Sequence, residues 1–363
     1  MTWNKEGAAM MAGLYRVFTS GEMAARKPLR EVVKGVFPQK GVAVIYGEPE
    51  GGKSFVALDM AASVAEGREW FGHRVIRTPV VYLALEGAEG FGKRVAAWEA
   101  HNGRKMPASI HFITGERVQD SPEAEGFDLT NPANVTHLFM TARAAGAQGG
   151  MVIIDTLNRA SVGVDENSSE GMGMIVQGMH HLQQLIDGLV VAIHHPGKDL
   201  NRGMRGHSSL LGSLDASLEV RHSNGVRSWV PGKNKDNGKA ALQGFDLTVV
   251  DIGVDEDGDL VTSCVVTPVG VVEDPTKKPM PIGKLQRFVF SVLDILVTTK
   301  GDQFVEPLSS GAPTVLTEAA LDACMESYPD KEKARRGNFR NAISAMVERG
   351  VLGGTPDRLW FKV

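Results

Sequence analysis

The sequence predicts an α/β fold in which a mostly parallel central sheet is followed by a small C-terminal domain. Between residues 41 and 272, short apolar runs rich in β-branched residues alternate with stretches of helical character. Such an alternation is typical of parallel strands that helices bury on both faces. A polar, proline-rich linker follows at 273–283 and leads into the region 284–363. The 363 residues suffice for one large hydrophobic core and one smaller core.

The elements of the first region are predicted in chain order from these runs. Residues 1–40 are expected to form a mainly helical lead-in. A helix is expected near Ser168, and a hairpin is expected around the Asp-Gly pair at 257–258, because a tight turn there requires positive φ. The predicted sheet strands are 42–46, 80–83, 151–154 and 189–193, and the predicted hairpin strands are 245–254 and 260–269.

The C-terminal region has the pattern helix, loop, helix, helix and hairpin. Thr317 is a candidate helix cap, and an amphipathic helix is predicted from Phe339 to Arg349, just before Gly350. A hairpin around 353–357 is expected to follow this helix. The order of elements predicts a winged helix-turn-helix domain.

The composition is that of an ordinary globular protein, with 42% hydrophobic and 23% charged residues. A net charge of -4 argues against a surface coated in basic residues, although a local stripe of Arg and Lys would be enough to bind nucleic acid. Two cysteines, Cys264 and Cys324, cannot build a disulfide framework. No signal peptide and no apolar run of roughly 20 residues is apparent. We therefore expect a soluble, cytoplasmic protein with no membrane partner.

A phosphate-binding loop is the clearest motif in the sequence. Residues 47–54 match the pattern G-x-x-x-x-G-K-[ST], with a predicted strand before it and a helical run after it. In such a loop, glycines turn backbone N–H groups toward an anion, and the helix N-terminus adds positive charge. ATP and Mg²⁺ are therefore predicted, with Lys53 on the β and γ phosphates and the Ser54 hydroxyl on Mg²⁺. The predicted cofactor-binding residues are Gly47, Glu48, Pro49, Glu50, Gly51, Gly52, Lys53, Ser54 and Phe55.

Two carboxylates are candidates for the remaining chemistry of ATP hydrolysis. Asp155 ends the apolar strand at 151–154, as in a Walker B element, and is predicted to act with Ser54 at the metal. Thr156 follows it directly, so no glutamate stands beside Asp155 to activate water. Glu86, at the end of another predicted strand, is the best candidate for this base. The alternative for Glu86 is an ordinary surface charge.

Several motifs together resemble one family of motor ATPases. They are GEPEGGKS, VVYLALEG, MVIIDT, the pair His194-His195 with Lys198, RGHSSLLGSLDASLEV and KNKDNG. From about residue 30 to residue 270 the chain resembles the RecA-like core of RepA/DnaB-type hexameric helicases, in particular the plasmid and phage RepA-like ATPases. The resemblance implies a RecA-like P-loop core at 41–272 and an active site that lies between subunits.

The resemblance also implies roles for further residues. Lys233 and Lys235 match the position from which a neighbouring subunit completes the site, although relatives often have an arginine there and lysine lacks its bidentate fork. His194, in the pair His194-His195, would sense the γ-phosphate. A solvated basic turn and simple strand-end hydrogen bonds are the respective alternatives.

Single-stranded DNA is the partner that the resemblance implies for the loops after the strands. The loop at 161–169 is acidic and a poor ligand for phosphate, whereas Lys198, Arg202 and Arg205 lie among glycines and could follow a DNA backbone without reading bases. An ordinary surface loop is the alternative. In the C-terminal region a basic group could bind duplex DNA, bind a protein partner, or form a solvated face; its members are Lys331, Lys333, Arg335, Arg336 and Arg340.

We therefore expect an ATP-dependent replicative DNA helicase or translocase that acts as a homo-oligomeric ring, a hexamer by resemblance, in plasmid or phage replication. A replication protein is a possible further partner through the C-terminal domain. Two alternatives stay open: a recombinase-type filament ATPase stimulated by DNA, and a replication accessory or loader whose assembly ATP switches.

Overall fold

A computed structural model describes residues 17–114, 127–166, 168–195, 212–234, 241–272, 280–300, 314–330 and 335–361. The chain divides into two compact units, Met1–Glu273 and Asp274–Val363. The division falls at the start of the proline-rich segment 273–283. Among the described helices, none is both long and apolar enough to cross a membrane.

The described part of the lead-in contains a short helix and a hairpin. Helix α1 (Ser20–Ala24) starts at a capping box, in which Thr19 and Glu22 exchange hydrogen bonds. Strands β1 (Glu31–Val33) and β2 (Phe37–Pro38) then pair antiparallel. Residues 31–38 thus depart from the mainly helical lead-in that the sequence predicted, because Gly35, at φ 77°, turns the chain back on itself.

A nine-stranded sheet forms the centre of the first unit, in the order β11-β10-β9-β8-β3-β7-β6-β4-β5. The six strands from β8 to β5 in this order are parallel to one another, and the strands from β8 to β11 form an antiparallel extension. The predicted mostly parallel α/β fold and the predicted hairpin are therefore confirmed. The strands are β3 (Gly41–Gly47), β4 (Val80–Ala84), β5 (Ile110–Thr114), β6 (Met151–Asp155), β7 (Leu189–His194), β8 (Ala216–Ser223), β9 (Val226–Asn234), β10 (Leu242–Val254) and β11 (Leu260–Val272).

Helices cover the two faces of this sheet, and each face has its own core. Helices α2 (Lys53–Glu66) and α3 (Ala88–Asn102) contribute to one core, and α4 (Pro132–Ala144) and α5 (Ser169–Ile186) contribute to the other. Successive side chains of a strand point to opposite faces. In β7, for example, Val191 and Ile193 lie in the α2 core, whereas Val190 and Ala192 lie in the α5 core. The carboxyl ends of the parallel strands share one edge, where the predicted site residues follow.

The C-terminal unit has a core of its own. Its elements are α6 (Gly283–Lys300), β12 (Thr314–Leu316), α7 (Thr317–Ser327), α8 (Arg336–Glu348), β13 (Leu352–Gly354) and β14 (Arg358–Phe361), and the strands form an antiparallel sheet in the order β12-β14-β13. The order of helices and hairpin is the predicted one, and its description as a winged helix stays a prediction. Helix α7 begins at Thr317, so Leu316 is the N-cap, one residue before the predicted cap.

Two members of the basic group in this unit are bound by carboxylates of α7. Arg336 forms ion pairs with Glu318 and Asp322, and Arg340 Nη2 lies 2.8 Å from Glu318 Oε1. These contacts tie α8 to α7. Arg335 is exposed, and Lys331 and Lys333 lie outside the described residues. The arginines of α8 are therefore engaged within the unit.

Candidate nucleotide-binding site

The loop at 47–54 folds as a tight connection from β3 to α2. Gly47 has a φ of 152° and Gly52, the N-cap of α2, has a φ of 99°. A Cβ on Gly47 would stand 2.0 Å from the carbonyl oxygen of Val220 in β8. Only glycine avoids that clash, so the neighbouring strand itself dictates the first residue of the motif. The loop therefore places backbone N–H groups at the start of a 14-residue helix, where an anion is favoured.

Lys53 is the first residue of α2 and is almost fully buried, at 4% exposure. Its Nζ donates to the carbonyl oxygens of Gly47 at 2.9 Å and of Glu48 at 2.6 Å. Burial lowers the pKa of Lys53 to about 8, against the opposing attraction of Asp155, Glu86 and Glu48. A cation that is poorly solvated and held inside the loop gains strongly from a phosphate.

Asp155 ends β6 on the α2 side of the sheet and is 1% exposed. Tyr82 Oη donates a 2.8 Å hydrogen bond to Asp155 Oδ2. Burial raises the pKa of Asp155, while hydrogen bonds from Tyr82 and Ser54 oppose the rise. The bond between Ser54 and Asp155 brings together the two residues that were predicted to act at the metal. The structure thereby supports that pairing.

These donors fit Mg²⁺. The ion prefers oxygen ligands and is bound in nucleotide sites by one or two protein groups, together with phosphates and water. The Ser54 hydroxyl and the Asp155 carboxylate are such a set. Within the described ranges, no group of three or more His, Cys, Asp or Glu side chains could hold a metal ion.

Glu86 follows β4, the strand next to β6, and its side chain is exposed at the sheet edge. Thr156 Oγ1 donates a 3.0 Å hydrogen bond to Glu86 Oε2. The backbone N–H of Glu86 donates to the carbonyl oxygen of Asp155 at 3.2 Å. Glu86 is thus hydrogen-bonded to Asp155, the last residue of β6, and to Thr156, which follows it. Its side chain nevertheless stays exposed to solvent. This placement suits a group that must meet a water molecule.

Arg94 belongs to the same site, although no sequence motif contains it. Its guanidinium lies 4.8 Å from the ring centroid of Phe55 and 5.2 Å from that of Phe91. Its charge also opposes the rise that burial causes in the pKa of Asp155. Phe55, predicted as a cofactor contact, therefore supports a cation beside the metal residues. The only signal in the sequence is the spacing of Phe91 and Arg94, which places both on one side of α3.

The two histidines at the end of β7 face opposite sides of the sheet. His194 continues the α5 face, is 2% exposed, and has its Nδ1 3.9 Å from Glu166 Oε2. His195 is half-buried on the side of Lys53. Burial lowers the pKa of His195, and the charge of Lys53 lowers it further, while Glu86 raises it. Of the pair, His195 is therefore the member that stands near the phosphate-binding residues.

Other predicted residues are only partly placed. Lys233 lies in β9, two strands from β3 in the sheet. Lys235 and the predicted DNA-binding residues Lys198, Arg202 and Arg205 lie outside the described residues. The structure therefore brings together Lys53, Ser54, Glu86 and Asp155 and adds Tyr82, Arg94 and His195.

Comparisons with known proteins show the family to which the chain belongs. A family model described as an AAA domain matches residues 11–201, more than half of the 363-residue chain. The matched range contains the loop at 47–54, Glu86, Asp155 and both histidines. Among solved structures the chain is similar to a KaiC-like protein from the hyperthermophilic archaeon Pyrococcus horikoshii, with 15% identity, a TM-score of 0.44, and coverage of 66% of this chain and 100% of that chain. No curated protein matches the sequence.

Proposed function

The chain belongs to the family of AAA domains, and from this premise we propose that it is an ATP-dependent replicative DNA helicase or translocase. It acts as a ring on single-stranded DNA in plasmid or phage replication. The family and the parallel α/β sheet make it a P-loop ATPase of the RecA-like superfamily. One observation supports a motor that couples ATP hydrolysis to DNA binding. His195 lies beside Lys53 and Glu86 and directly precedes the segment that contains the candidate DNA-binding residues.

Nucleotide binding uses the residues of the loop and the metal pair. Lys53 turns from the carbonyls of Gly47 and Glu48 to the phosphate oxygens, and the N–H groups of the loop surround the same anion. Ser54 and Asp155 hold the metal side of the site. When bound, Mg²⁺ neutralises charge on the phosphates. Tyr82 keeps the Asp155 carboxylate in place from beneath.

Hydrolysis uses Glu86 as the general base. Its carboxylate takes a proton from the attacking water, whose oxygen bonds to the γ-phosphorus as the bond to the β–γ bridging oxygen breaks and ADP leaves with the electron pair. Thr156 keeps Glu86 oriented through the 3.0 Å hydrogen bond. Arg94 adds positive charge near Asp155. The role of γ-phosphate sensor, predicted for His194, passes to His195 in this proposal because of its position beside Lys53.

A neighbouring subunit completes the site. Glu86 is exposed at the sheet edge, so a group from outside the chain can reach the reacting phosphate. Lys233 and Lys235 are the residues that we propose for this role, in a hexameric ring. Lys198, Arg202 and Arg205 grip single-stranded DNA through its phosphates. The C-terminal unit, proposed to be a winged helix, serves a replication protein rather than DNA, because carboxylates of α7 already engage Arg336 and Arg340.

The test combines hydrolysis, assembly and DNA binding. We expect wild-type ATP hydrolysis to increase with single-stranded DNA and electron microscopy with a non-hydrolysable ATP analogue and single-stranded DNA to reveal closed rings. A Lys53→Ala variant should lose hydrolysis and still bind DNA. Long helical assemblies would instead indicate a recombinase-type filament. Loss of both hydrolysis and the oligomer in Lys53→Ala would indicate an assembly switch, as in a loader.

A further inference from the structure

On the side of the sheet that faces away from α2, the end of β7 contacts a half-buried carboxylate, Glu166. His194, the last residue of β7, lies on the α5 face and is 2% exposed. Its register partner in β3 is Tyr46, the residue directly before Gly47. His194 thus stands at the sheet edge next to the strand of the phosphate-binding loop. Its ring points away from the side where His195 lies.

Glu166 approaches His194 from the segment between β6 and α5. The Glu166 side chain is 14% exposed, and its Oε2 lies 3.9 Å from His194 Nδ1. Ser161 Oγ, which also contacts the Leu157 carbonyl, donates to Glu166 Oε1 at 3.0 Å. A carboxylate on a segment that looked merely acidic in sequence is therefore turned inward and oriented by a hydroxyl.

The segment that carries Glu166 is firmly built. Ser168 caps α5 by accepting from the Gly171 N–H, and its hydroxyl donates to the Asp165 carbonyl oxygen at 2.9 Å. The N–H of Val164 donates to the carbonyl oxygen of Ser161 at 3.2 Å. Hydrogen bonds thus close the turn before Glu166 and join Asp165 to the N-cap of α5.

We propose that Glu166 is a positioning residue, which holds the His194 ring and thereby fixes His195 at the nucleotide site. At 3.9 Å the Glu166 carboxylate acts on the His194 ring through its charge and through the space that it fills, and both restrict the orientation of the ring. Because one peptide unit joins the two histidines, a shift of the backbone at His194 also moves His195. The proposal rests on nucleotide binding at the proposed site and is independent of helicase activity.

This arrangement links two regions of the first unit. One is the γ-phosphate position beside Lys53, reached by His195. The other is the part of the chain before α5 that carries Ser161 and Glu166. When Glu166 holds His194, the end of β7 is attached to the α5 side of the sheet. His195 then contacts the γ-phosphate from a backbone that is held in place. The ratio of the affinities for ATP and ADP should therefore depend on Glu166.

The experiment measures γ-phosphate discrimination as a binding ratio. Affinities for a fluorescent ADP and for the matching non-hydrolysable ATP analogue are determined for wild type, Glu166→Ala, Glu166→Gln, His194→Ala and the double variant Glu166→Ala/His194→Ala. Glu170→Ala is the matched control, because Glu170 is an exposed acid in the first turn of α5. Melting temperatures report whether each variant is folded.

We expect Glu166→Ala to lower the preference for the ATP analogue by about threefold to tenfold, with ADP affinity within about twofold of wild type. Glu166→Gln should restore most of the preference, since its amide oxygen still accepts from Ser161. The double variant should be no worse than His194→Ala, because residues that act through one another are not additive. Glu170→Ala should match wild type.

Three outcomes would overturn the proposal: an unchanged ratio in folded Glu166→Ala, a Glu166→Gln variant as impaired as the alanine variant, or additive losses in the double variant. Failure of the proposed function gives a different result. The binding ratio would then depend on Glu166 as expected, while the wild-type protein displaces no DNA strand.

Discussion

Thr156 Oγ1 donates a hydrogen bond of 3.0 Å to Glu86 Oε2, and the two residues follow adjacent parallel strands. Asp155, the predicted metal ligand, directly precedes Thr156. The candidate base, Glu86, is therefore hydrogen-bonded to the residue next to the candidate metal ligand, Asp155. A substitution at Glu86 can remove the base and leave the metal residues in place.

Replacing Glu86 by Gln should separate binding from turnover. The side chain is exposed, and the amide oxygen can still accept from Thr156, so we expect nucleotide affinity within about twofold of wild type and a fall in kcat of about 100-fold or more. Fluorescent-nucleotide titration and a phosphate-release assay measure the two quantities. Glu69→Gln, another exposed glutamate of the same unit, is the control and should hydrolyse ATP at the wild-type rate. Normal turnover in Glu86→Gln would remove Glu86 from its assigned role.

Nucleotide binding should take up a proton on Lys53 near pH 8. Burial lowers the pKa of this lysine to about 8, and a bound phosphate favours its charged form and raises the pKa again. The affinity for ADP should therefore be constant below about pH 7 and fall as the pH rises through 8. Calorimetry at pH 8 in two buffers of different ionisation enthalpy measures the proton uptake. An uptake of zero would contradict the pKa assigned to Lys53.

Asp59 makes stability depend on pH. This carboxylate in α2 accepts a 2.9 Å hydrogen bond from Trp70 Nε1, and burial raises its pKa from 3.8 to about 6. The stability that it contributes is complete below about pH 4 and is lost as the pH rises through 6. Asp59→Asn should therefore raise the free energy of unfolding by about 1 to 2 kcal/mol at pH 7.5, with a smaller gain at pH 5.

Chemical denaturation at the two pH values measures the effect of Asp59→Asn. The exposed Asp251 supplies the matched control, and Asp251→Asn should leave stability unchanged at both. A loss of stability in Asp59→Asn at pH 7.5 would mean that the charged carboxylate is better accommodated in α2 than its burial indicates.

Two glycines with positive φ should respond differently to alanine. At Gly47 a Cβ would meet the Val220 carbonyl oxygen at 2.0 Å, whereas at Gly103, with φ 63°, it would meet nothing within 4 Å. Gly103→Ala should cost only about 1 kcal/mol of stability, from its backbone conformation, and leave ADP affinity unchanged. Gly47→Ala should abolish measurable ADP binding, because the loop must shift away from β8. ADP binding by Gly47→Ala at wild-type strength would contradict the close approach of the two strands.

The parts of the fold that the sequence predicts are those with strong local patterns. Continuous apolar runs gave four strands of the parallel sheet, and the Asp-Gly turn gave the hairpin of β10 and β11. The short β1–β2 hairpin was missed because two or three residues carry no measurable periodicity. Strand β5 was missed because, among the described strands, it pairs only with β4 at the sheet edge, and its half-exposed residues are not a continuous apolar run.

The site shows a similar limit. Spacing alone identified Lys53, Ser54, Asp155 and Glu86, because each follows a recognisable strand or glycine pattern. Arg94 acts across helices, over the ring of Phe55, and no local pattern reveals that contact. The histidine pair needed the sheet register as well: alternation implies that adjacent residues face opposite sides, but only the packing of α2 decides which of them meets Lys53.

Strand displacement from a forked DNA duplex tests the central claim most directly. Wild-type protein and Glu86→Gln are mixed with a fork that carries a labelled strand, in the presence of ATP and Mg²⁺. We predict that wild type releases the strand and that Glu86→Gln binds the fork without releasing it. ATP hydrolysis by wild type that increases with single-stranded DNA, but never displaces the labelled strand, would contradict a helicase.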